Sequence, residues 1–319
     1  MVNFRLAVYS LIGVIGAPMR HWYRWPLYKK VKVIAIAMVL LTWYISYLFP
    51  KINYGMIGNN PWIILATTCL AFHISMVVIS IYLHRSETHR GIRYAKPMRH
   101  FFRFWLWFIS GIDRTHWVAV HRYHHQHTET EKDPHSPVAI GLNKQLTHGI
   151  EIYNEAFTLQ AVKQLGVIRD NDWLEKKLYS HRFGILFSLL LFILLFGLWG
   201  IPCWTMLMVS QIFAQNFVIN GLGHHTGYRN YNTDDNSRNI SRFGVLISGE
   251  ELHNNHHKNP RSPRFSRRRN EYDLGWFYIV LLYKLGLAKV ELKRIYHTSR
   301  NQKLHTIESG LENDSHYHQ

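Results

Sequence analysis

The chain has 319 residues, which is enough for one large domain or two ordinary ones. Hydrophobic residues make up 47% and charged residues 18%, a composition that excludes a disordered chain. Two cysteines are too few for a disulfide framework or a cysteine-based zinc site. The net charge of +17 fits either a nucleic-acid-binding protein or a membrane protein, so charge alone leaves both classes open.

Four apolar segments are predicted to cross a membrane, because each is uncharged and close to the roughly 20 residues that a hydrocarbon core of about 30 Å requires. They are residues 33–49, 61–83, 183–200 and 202–221. The connection between the first two carries only Lys51, and the connection around residues 201–203 carries no charge. The segments are therefore expected to form two hairpins that barely emerge on the far side.

Lys and Arg are concentrated at the opposite ends of these hairpins, in residues 20–32, in the block after Leu83 and in the C-terminal block. The positive-inside rule then places both termini and the middle block in the cytoplasm. Membrane topology thereby explains the charge of +17, and no nucleic-acid partner is predicted. The first 16 residues lack a basic start and a small-residue cleavage site, so no signal peptide is predicted.

The expected fold is an all-α integral membrane protein with four transmembrane helices and a cytosolic helical cap. Its parts are a cytosolic N-terminal segment (1–32), a main domain (33–298) and a flexible polar tail (299–319). Two aromatic stretches, residues 101–109 and 276–283, are too short to span and favour helices that lie on the membrane surface. Core packing in the cytosolic cap is the alternative for both stretches.

The 22 histidines are the most informative residues, because histidine is a metal ligand and a proton carrier and most of them fall in tight clusters. The four clusters, at the cytoplasmic ends of spans or in the cytoplasmic blocks, are His84 with His89; His121 with His124 and His125; Asn220 with His224; and His253 with His256 and His257. Residues at i, i+3 and i+4 share one helix face, so each of the last three clusters should project to one side. His84 and His89 are five residues apart, and a straight α-helix would not align them.

Histidines outside the clusters are predicted to be solvated or hydrogen-bonded bystanders. These are His21, His100, His148, His297, His305, His316 and His318. His73 lies alone in an apolar span and is expected to be a satisfied core residue, and His225 breaks the spacing of its neighbour His224. Nine clustered histidines are costly to place together unless something binds them, which predicts a metal site.

Nine histidines exceed one metal site and fit two metals with open coordination positions. Neutral imidazole suits Zn, Cu, Fe and Ni. Two adjacent redox metals beside a membrane indicate dioxygen activation on a lipid-soluble substrate; zinc could occupy the site in a purified sample but offers no redox chemistry. A histidine-rich metal transporter is an alternative of another class, although transporters place ligands near the bilayer midplane rather than at the cytoplasmic rim.

The order and wording of the clusters resemble the membrane-bound fatty acyl desaturases, specifically the acyl-CoA delta-9 (stearoyl-CoA type) branch. The matching motifs are His84-Arg85 with His89-Arg90, Trp117-Val118 before His121-Arg122, Asp133-Pro134-His135-Ser136, Asn220-Gly221 with His224, and Gly249-Glu250 before His253-Asn254. The resemblance covers residues 62–290, and four motifs in this order are far more specific than any one of them. The wording looks bacterial, which implies a multi-pass protein of the bacterial inner membrane with its active site in the cytoplasm.

The resemblance implies that the nine clustered histidines bind two iron ions and that Asn220 contacts a metal through water. It implies an oxidoreductase that uses dioxygen and two external electrons to insert a cis double bond, at the delta-9 position, into a saturated acyl chain. The implied substrate is a fatty acyl thioester or acyl lipid, in contact with membrane lipid. A separate ferredoxin- or cytochrome-type electron-transfer protein and its reductase are also implied, because no haem-binding domain is fused to the chain.

Several polar residues near the motifs have two interpretations. Glu129, Asp133 and Glu250 could orient ligand imidazoles by accepting their N–H groups, or they could be solvated surface groups. The fourth span carries Gln211, Gln215, Asn216 and Asn220, and polar groups within a span normally face the interior of the bundle. This face could line an acyl tunnel or orient ligands, or it could make ordinary hydrogen bonds between helices.

A membrane hydroxylase or alkane mono-oxygenase with the same ligands is the nearest alternative activity. The Asn220-x3-His224 element and the flanking motifs favour the desaturase. The sequence leaves open the acyl carrier, which could be CoA, acyl carrier protein or phospholipid. It also leaves open the chain length and the position of the new double bond.

Overall fold

The computed structural model describes residues 27–181 and 183–290, so most of the predicted N-terminal segment and the whole polar tail lie outside it. Within this part the fold is mostly helical. The α-helices are α1 (Leu27–Leu48), α2 (Pro61–Val78), α3 (Lys96–Trp105), α4 (Arg114–His127), α5 (Pro137–Ile140), α6 (Leu142–Ala156), α7 (Gln160–Lys163), α8 (Gly184–Phe196), α9 (Gly200–Ile212), α10 (His253–Lys258) and α11 (Leu274–Lys284). The strands are β1 (Ile92–Tyr94), β2 (Phe243–Gly244), β3 (Tyr272–Asp273) and β4 (Ala288–Val290).

Three of the apolar helices change their winding before they end. Helix α2 continues as a π-helix over Ile79–Thr88, α3 over Leu106–Ser110 and α9 over Phe213–Ile219. A further π segment covers Glu175–Tyr179, and short 3₁₀ turns cover Pro50–Asn53, Gly197–Trp199 and Leu222–His224. Isolated π turns in longer helices occur frequently at functional sites.

Two helical stretches of the described chain are long and apolar enough to cross a membrane, Pro61–Thr88 and Gly184–His224. The second contains two of the four predicted spans, because it reverses direction at Gly197 (φ +61°). The indole Nε1 of Trp204 donates to Ser188 Oγ at 2.8 Å. Sixteen residues of straight helix would be about 24 Å long, so α8 and α9 form a hairpin. Its turn lies at residues 197–199 rather than around 201–203, since Pro202 is accommodated in the first turn of α9.

The loop after α1 packs against the turn of this hairpin. The amide N of Met56 donates to the carbonyl O of Leu194 at 2.9 Å, and that of Ile57 donates to Leu195 at 3.1 Å. A Cβ atom at Gly197 would lie 2.5 Å from the carbonyl O of Ile52, so only glycine fits this approach. The connection of the first helix pair and that of the second therefore lie side by side.

Two small sheets are the departure from the all-α prediction. Strands β1 and β4 pair antiparallel, with Ile92 opposite Val290, and β2 and β3 pair parallel, with Phe243 opposite Tyr272. Each strand is two or three residues long, too short for an alternating pattern to be read from the sequence. The β1–β4 pair holds the segment after the first histidine motif against the segment after α11.

A buried ion pair between Arg85 and Asp273 connects the elements that carry the histidines. The guanidinium of Arg85 is 1% exposed; it donates to both carboxylate oxygens of Asp273 at 2.9 and 3.0 Å and to the carbonyl of Ser248 at 2.8 Å. Asp273 also caps α11 by accepting the amide of Trp276 at 2.9 Å. Arg85 thereby joins the π end of the second helix to α11 and to the loop that precedes α10.

The two aromatic stretches predicted for the membrane surface are helical. Residues 101–109 lie in α3 and its π extension, with Phe102 buried while Phe101 is 43% exposed. Residues 276–283 lie within α11, where the hydroxyl of Tyr278 lies 2.9 Å from Nε2 of His73. His73 is therefore hydrogen-bonded, as predicted, although it is only partly buried. A position of these helices at a membrane surface stays a prediction.

Candidate metal centre

The nine predicted histidines lie in two adjacent clusters. Cluster A consists of His84, His89, His121, His125 and His256, and cluster B consists of His124, His224, His253 and His257. Within each cluster every ring offers one nitrogen that lies within 4.8 Å of the nitrogens offered by the others. The clusters adjoin, since the rings of His125 and His257 stack with their centroids 4.6 Å apart.

The π-helix of residues 79–88 aligns His84 with His89. In an α-helix, five residues correspond to a rotation of about 140° between the two side chains. Here the amide N of His89 donates to the carbonyl O of His84 at 3.1 Å, the i→i+5 bond of a π turn. The two ring centroids consequently lie 4.8 Å apart. The spacing that fails in a straight α-helix is correct for the wider one.

Helices α4 and α10 each divide three histidines between the clusters. His121 and His125, one α-helical turn apart on α4, belong to cluster A with their Nε2 atoms 3.0 Å apart, whereas His124 points into cluster B. Helix α10 has the opposite arrangement, because its i, i+4 pair, His253 and His257, belongs to cluster B, whereas His256 belongs to cluster A. Each of the two helices therefore supplies ligands to both clusters.

The prediction that Asn220 and His224 share one face of an α-helix is wrong. The π segment ends at Ile219, Asn220 follows it, and His224 lies in the 3₁₀ turn that comes next. His224 reaches cluster B from this turn, and Asn220 lines a cavity beside cluster A instead. The chain turns here because Gly221 and Gly223 pack closely against Phe217 and His253, respectively.

The distances between ligand nitrogens match those around a metal ion. The Nε2 atom of His256 lies 3.1 Å from that of His84 and 3.0 Å from that of His125, and the Nε2 atoms of His253 and His224 are 3.0 Å apart. Two nitrogens bound to one ion at about 2.1 Å lie about 3.0–3.4 Å apart for angles between 90° and 109°. The imidazoles are thus spaced as ligands of a common ion would be.

Four carboxylates accept hydrogen bonds from the outer nitrogens of these rings. The Nδ1–oxygen distances are 2.8 Å for His84 with Glu250, 2.8 Å for His124 with Asp133, 3.1 Å for His224 with Glu129 and 2.7 Å for His257 with Asp235. For Glu250, Asp133 and Glu129 this contact was one of the two interpretations left open by the sequence. Asp235 was missed, because it lies 22 residues from its histidine in a polar loop with no recognisable spacing. Carboxylates in this position fix the tautomer and orientation of a ligand imidazole.

Burial and hydrogen bonding lower the pKa of members of these pairs. Burial would raise the pKa of the Asp133 carboxyl, but the neighbouring His124 and the backbone N–H of Glu129 hold its pKa below the ordinary value. Burial lowers the pKa of His257 to about 3, despite its hydrogen bond to Asp235. Burial thus favours the neutral ring of His257, and hydrogen bonds favour the ionised carboxylates of Asp133 and Asp235, the protonation states that metal binding requires.

Orphaned nitrogens inside the clusters fit a bound metal. The Nδ1 atoms of His124 and His257 donate to carboxylates, so their Nε2 atoms carry lone pairs. Both Nε2 atoms are buried and have no hydrogen-bond partner in the described chain, as does Nε2 of His89. Buried acceptors without donors are costly, and a cation would satisfy them. The four carboxylates behind the rings can also balance the charge of bound cations.

A cavity of about 210 Å³ adjoins cluster A. His84 and His121 line it together with Glu250, whereas none of the four cluster B histidines does. The rest of the lining is largely apolar and includes Ile79, Ile112, Trp117, Ile150, Ile212 and Ile219, with Gln215, Asn216 and Asn220 on one side. The indole of Trp117 stacks on His121 at an 11° interplanar angle and donates to Gln215 Oε1 at 3.1 Å. Gln215 thus lines the cavity and also forms a hydrogen bond between helices.

Histidines predicted as bystanders lie apart from the clusters wherever the structure describes them. His225 is exposed and bonds the hydroxyl of its neighbour Thr226 at 2.9 Å. His100 and His148 belong to neither cluster, and His21, His297, His305, His316 and His318 lie outside the described residues. His135, part of the Asp133-Pro134-His135-Ser136 motif, is 3% exposed, and its ring centroid is 5.5 Å from that of His124. No spacing rule in the sequence indicated that position.

Comparison with known proteins agrees with this site. The family model for fatty acid desaturases matches residues 60–279, more than half of the chain. The delta-9 acyl-lipid desaturase 2 of Arabidopsis thaliana is 30% identical over 71% of this chain and 74% of its own length. The delta-9 desaturase-like 1 protein of the same plant is 29% identical over 84% and 86%, respectively. The icosanoyl-CoA 5-desaturase of Limnanthes douglasii is 32% identical over 69% and 62%.

The match to the family model runs through every motif that carries a clustered histidine. The matched residues begin at the capped start of α2 and end within α11, so they include both clusters and the cavity. The relatives are named as acyl-lipid and acyl-CoA desaturases. The chain therefore belongs to the fatty acid desaturase family, and it is a fatty acyl desaturase, an oxidoreductase of lipid metabolism.

Proposed function

We propose that the protein inserts a cis double bond at the delta-9 position of a saturated acyl chain, using dioxygen and two external electrons at a di-iron centre. The observation that carries the proposal is the pair of buried histidine clusters, with four carboxylates behind them and an apolar cavity in front. In the balanced reaction two C–H bonds break and one C=C bond forms. Dioxygen is reduced to two waters by the two hydrogens of the chain together with two electrons and two protons supplied from outside.

The metal ligands in this proposal are the nine histidines of clusters A and B, with Asn220 as a water-mediated contact beside the cavity. Bound iron would supply the activation of dioxygen, a chemistry that no side chain of the protein provides. The side chains have the other tasks. Glu250, Asp133, Glu129 and Asp235 hold the imidazoles in one orientation, and the buried surroundings exclude water from the reacting carbons.

The cavity is proposed to hold the acyl chain against cluster A. Its isoleucines offer an apolar wall, and Trp117 is locked between His121 and Gln215, so its indole forms a rigid side of the passage. A fixed wall beside His84 and His121 decides which two carbons lie next to the metals. Asn216 and Asn220 place polar groups on the same side, where they can bind water or orient a ligand.

Four transmembrane helices are proposed, formed by α1, by α2 with its π extension, by α8, and by α9 with its π extension. Large apolar side chains on these helices are exposed, including Trp43 at 61%, Trp62 at 76%, Leu190 at 59% and Met206 at 66%, as expected of surfaces that face lipid. The two connections that lie side by side form one end of the bundle. The histidines follow the other ends of the second and fourth helices, which agrees with an active site on the cytoplasmic side of a bacterial inner membrane.

The substrate is proposed to be an acyl thioester or acyl lipid, and the reductant a separate ferredoxin- or cytochrome-type protein with its reductase. The relatives include proteins named for acyl lipids and for acyl-CoA, and for the delta-9 and the 5 positions. Two delta-9-named relatives match 71% and 84% of the chain, which favours delta-9. Asn220 of the Asn220-x3-His224 element, which distinguishes the desaturase from the hydroxylase alternative in the sequence, lies beside the cavity.

The test is expression in a bacterial host that lacks its own desaturase, followed by gas chromatography of fatty acid methyl esters. We expect a cis-9 monounsaturated ester that is absent from a host carrying the His256→Ala variant. A hydroxylated ester would establish the mono-oxygenase alternative instead. A double bond at another position would leave the desaturase in place and refute the delta-9 assignment.

A further inference from the structure

The two clusters differ in the number of carboxylates behind them. Three of the four imidazoles of cluster B donate to a carboxylate, at 2.8 Å for Asp133, 3.1 Å for Glu129 and 2.7 Å for Asp235. Among the described residues only one of the five imidazoles of cluster A does so, at 2.8 Å to Glu250. A divalent ion in cluster B would therefore lie among three negative charges, and one in cluster A beside a single negative charge.

Hydrogen bonds fix two of the cluster B carboxylates in place. Asp133 accepts the backbone N–H groups of Glu129 at 2.7 Å and His135 at 2.9 Å. Asp235 accepts the backbone N–H of Ser237 at 3.0 Å and the hydroxyl of Thr233 at 2.7 Å. The cluster A carboxylate of Glu250 likewise accepts a hydroxyl, that of Ser80, but it differs in lying 4.0 Å from the guanidinium of Arg85. Part of its charge is thus already compensated.

The clusters also differ in their relation to the cavity. His84 and His121 of cluster A form part of its wall, and so does Glu250. None of the cluster B histidines lines it. The outward neighbours of cluster B are polar instead, because Glu129 accepts the backbone and side-chain N–H groups of the exposed residue Asn236, both at 2.7 Å. One metal position thus faces the acyl chain, and the other faces a hydrogen-bonded loop.

We infer that the two metal positions are unequal: cluster B binds its ion first and more tightly, and cluster A is the weaker, exchangeable position that faces the substrate. This inference rests on the proposed di-metal function. The fifth imidazole of cluster A would raise the affinity of that cluster for a metal ion, but it is a neutral ligand. The two additional carboxylates of cluster B outweigh it, because each outer partner of a ligating histidine changes metal affinity by about 10–100-fold.

The experiment is an anaerobic titration of the metal-free, full-length protein in nanodiscs with Co²⁺ against a chelator of known affinity. Bound ions are counted by mass spectrometry of the metal after equilibrium dialysis, so no activity is required. We expect two ions per chain, with affinities that differ by at least about tenfold. Two ions of equal affinity would overturn the inequality and leave the di-metal proposal intact, whereas fewer than two ions would overturn both.

Two variants assign the sites. Glu129→Gln should weaken only the tighter class by about 10–100-fold, and Glu250→Gln should weaken only the looser class by a similar factor. Asp235→Asn provides a second probe of cluster B in case Glu129→Gln does not fold. Asp234→Asn is the matched control, because it removes the same charge from an exposed neighbouring position, and it should change neither class. If Glu250→Gln weakened the tighter class, the assignment would be reversed and the inference refuted.

Discussion

His224 and His225 are neighbours in sequence with opposite surroundings, and replacing each by alanine separates ligand from bystander. His224 is 2% exposed, lies in cluster B and holds the carboxylate of Glu129 at 3.1 Å. His225 is exposed, and its ring forms a hydrogen bond with the side chain of Thr226 at 2.9 Å. The two substitutions remove the same atoms one residue apart, so effects on translation, insertion or helix propensity should be nearly equal.

The magnitude follows from what each ring touches. Loss of an outer partner of a ligand histidine costs about 10–100-fold in metal affinity or activity. His224→Ala removes a ligand itself, leaves three imidazoles in cluster B and frees the carboxylate behind it, so we expect at least about a 100-fold loss of activity. His225→Ala removes one surface hydrogen bond, and its effect should stay within about 0.5 kcal/mol of unfolding free energy.

The assay is the ratio of unsaturated to saturated fatty acids in a complemented host, normalised to the amount of membrane-inserted protein. Metal content of the purified variants provides a second measurement, with two ions expected for His225→Ala and about one for His224→Ala. Equal damage by the two substitutions would show that the ligand assignment is wrong. So would full activity of His224→Ala with its metal content unchanged.

Three further outcomes are expected. Asp273→Asn leaves the buried guanidinium of Arg85 without its anionic partner, so it should destabilise the protein by about 3–5 kcal/mol and lower Tm by about 6–10 °C at roughly 2 °C per kcal/mol; an unchanged thermal transition in detergent would contradict this. The metal-free protein should lose stability on acidification, because His257 has a pKa of about 3 when folded and 6.5 when unfolded. The unfolded state binds more protons between these values, so the free energy of unfolding should fall by up to about 1.4 kcal/mol per pH unit for this ring below pH 6.5. A flat pH profile of denaturant unfolding would refute this expectation. Cysteines introduced at Met56 and Thr226 should react with a membrane-impermeant reagent from opposite sides, and labelling from the same side would exclude the four-helix topology.

The candidate ligands could be predicted from sequence because their information is local. His121 with His125 and His253 with His257 are separated by one α-helical turn, and an α-helix brings such pairs together wherever it lies in the fold. Three of the four carboxylates could also be considered as partners of the ligands from sequence alone, since they lie next to ligand motifs in the chain. The same reasoning failed for Asp235, because its approach to His257, 22 residues away, depends on the path of the intervening chain and not on any spacing.

The division of the histidines into clusters could not be predicted. His124 and His125 are consecutive on α4, yet they point to different clusters, because consecutive side chains on an α-helix diverge by about 100°. The turn at Gly197 was placed only approximately, since an apolar run of this kind contains no charge to mark its reversal. The β strands were missed because two or three residues carry no periodicity.

The π-helix at residues 79–88 makes two motif spacings structurally interchangeable. A π turn contains one residue more than an α turn, so His84 and His89 occupy the positions that two histidines separated by three residues would occupy on an ordinary α-helix. A homologue with one residue fewer between its first two histidines could therefore present the same ligand pair without moving the rest of the bundle. Deletion of a single residue between His84 and His89 should accordingly be tolerated better than insertion of one, which no regular helix of the chain could absorb.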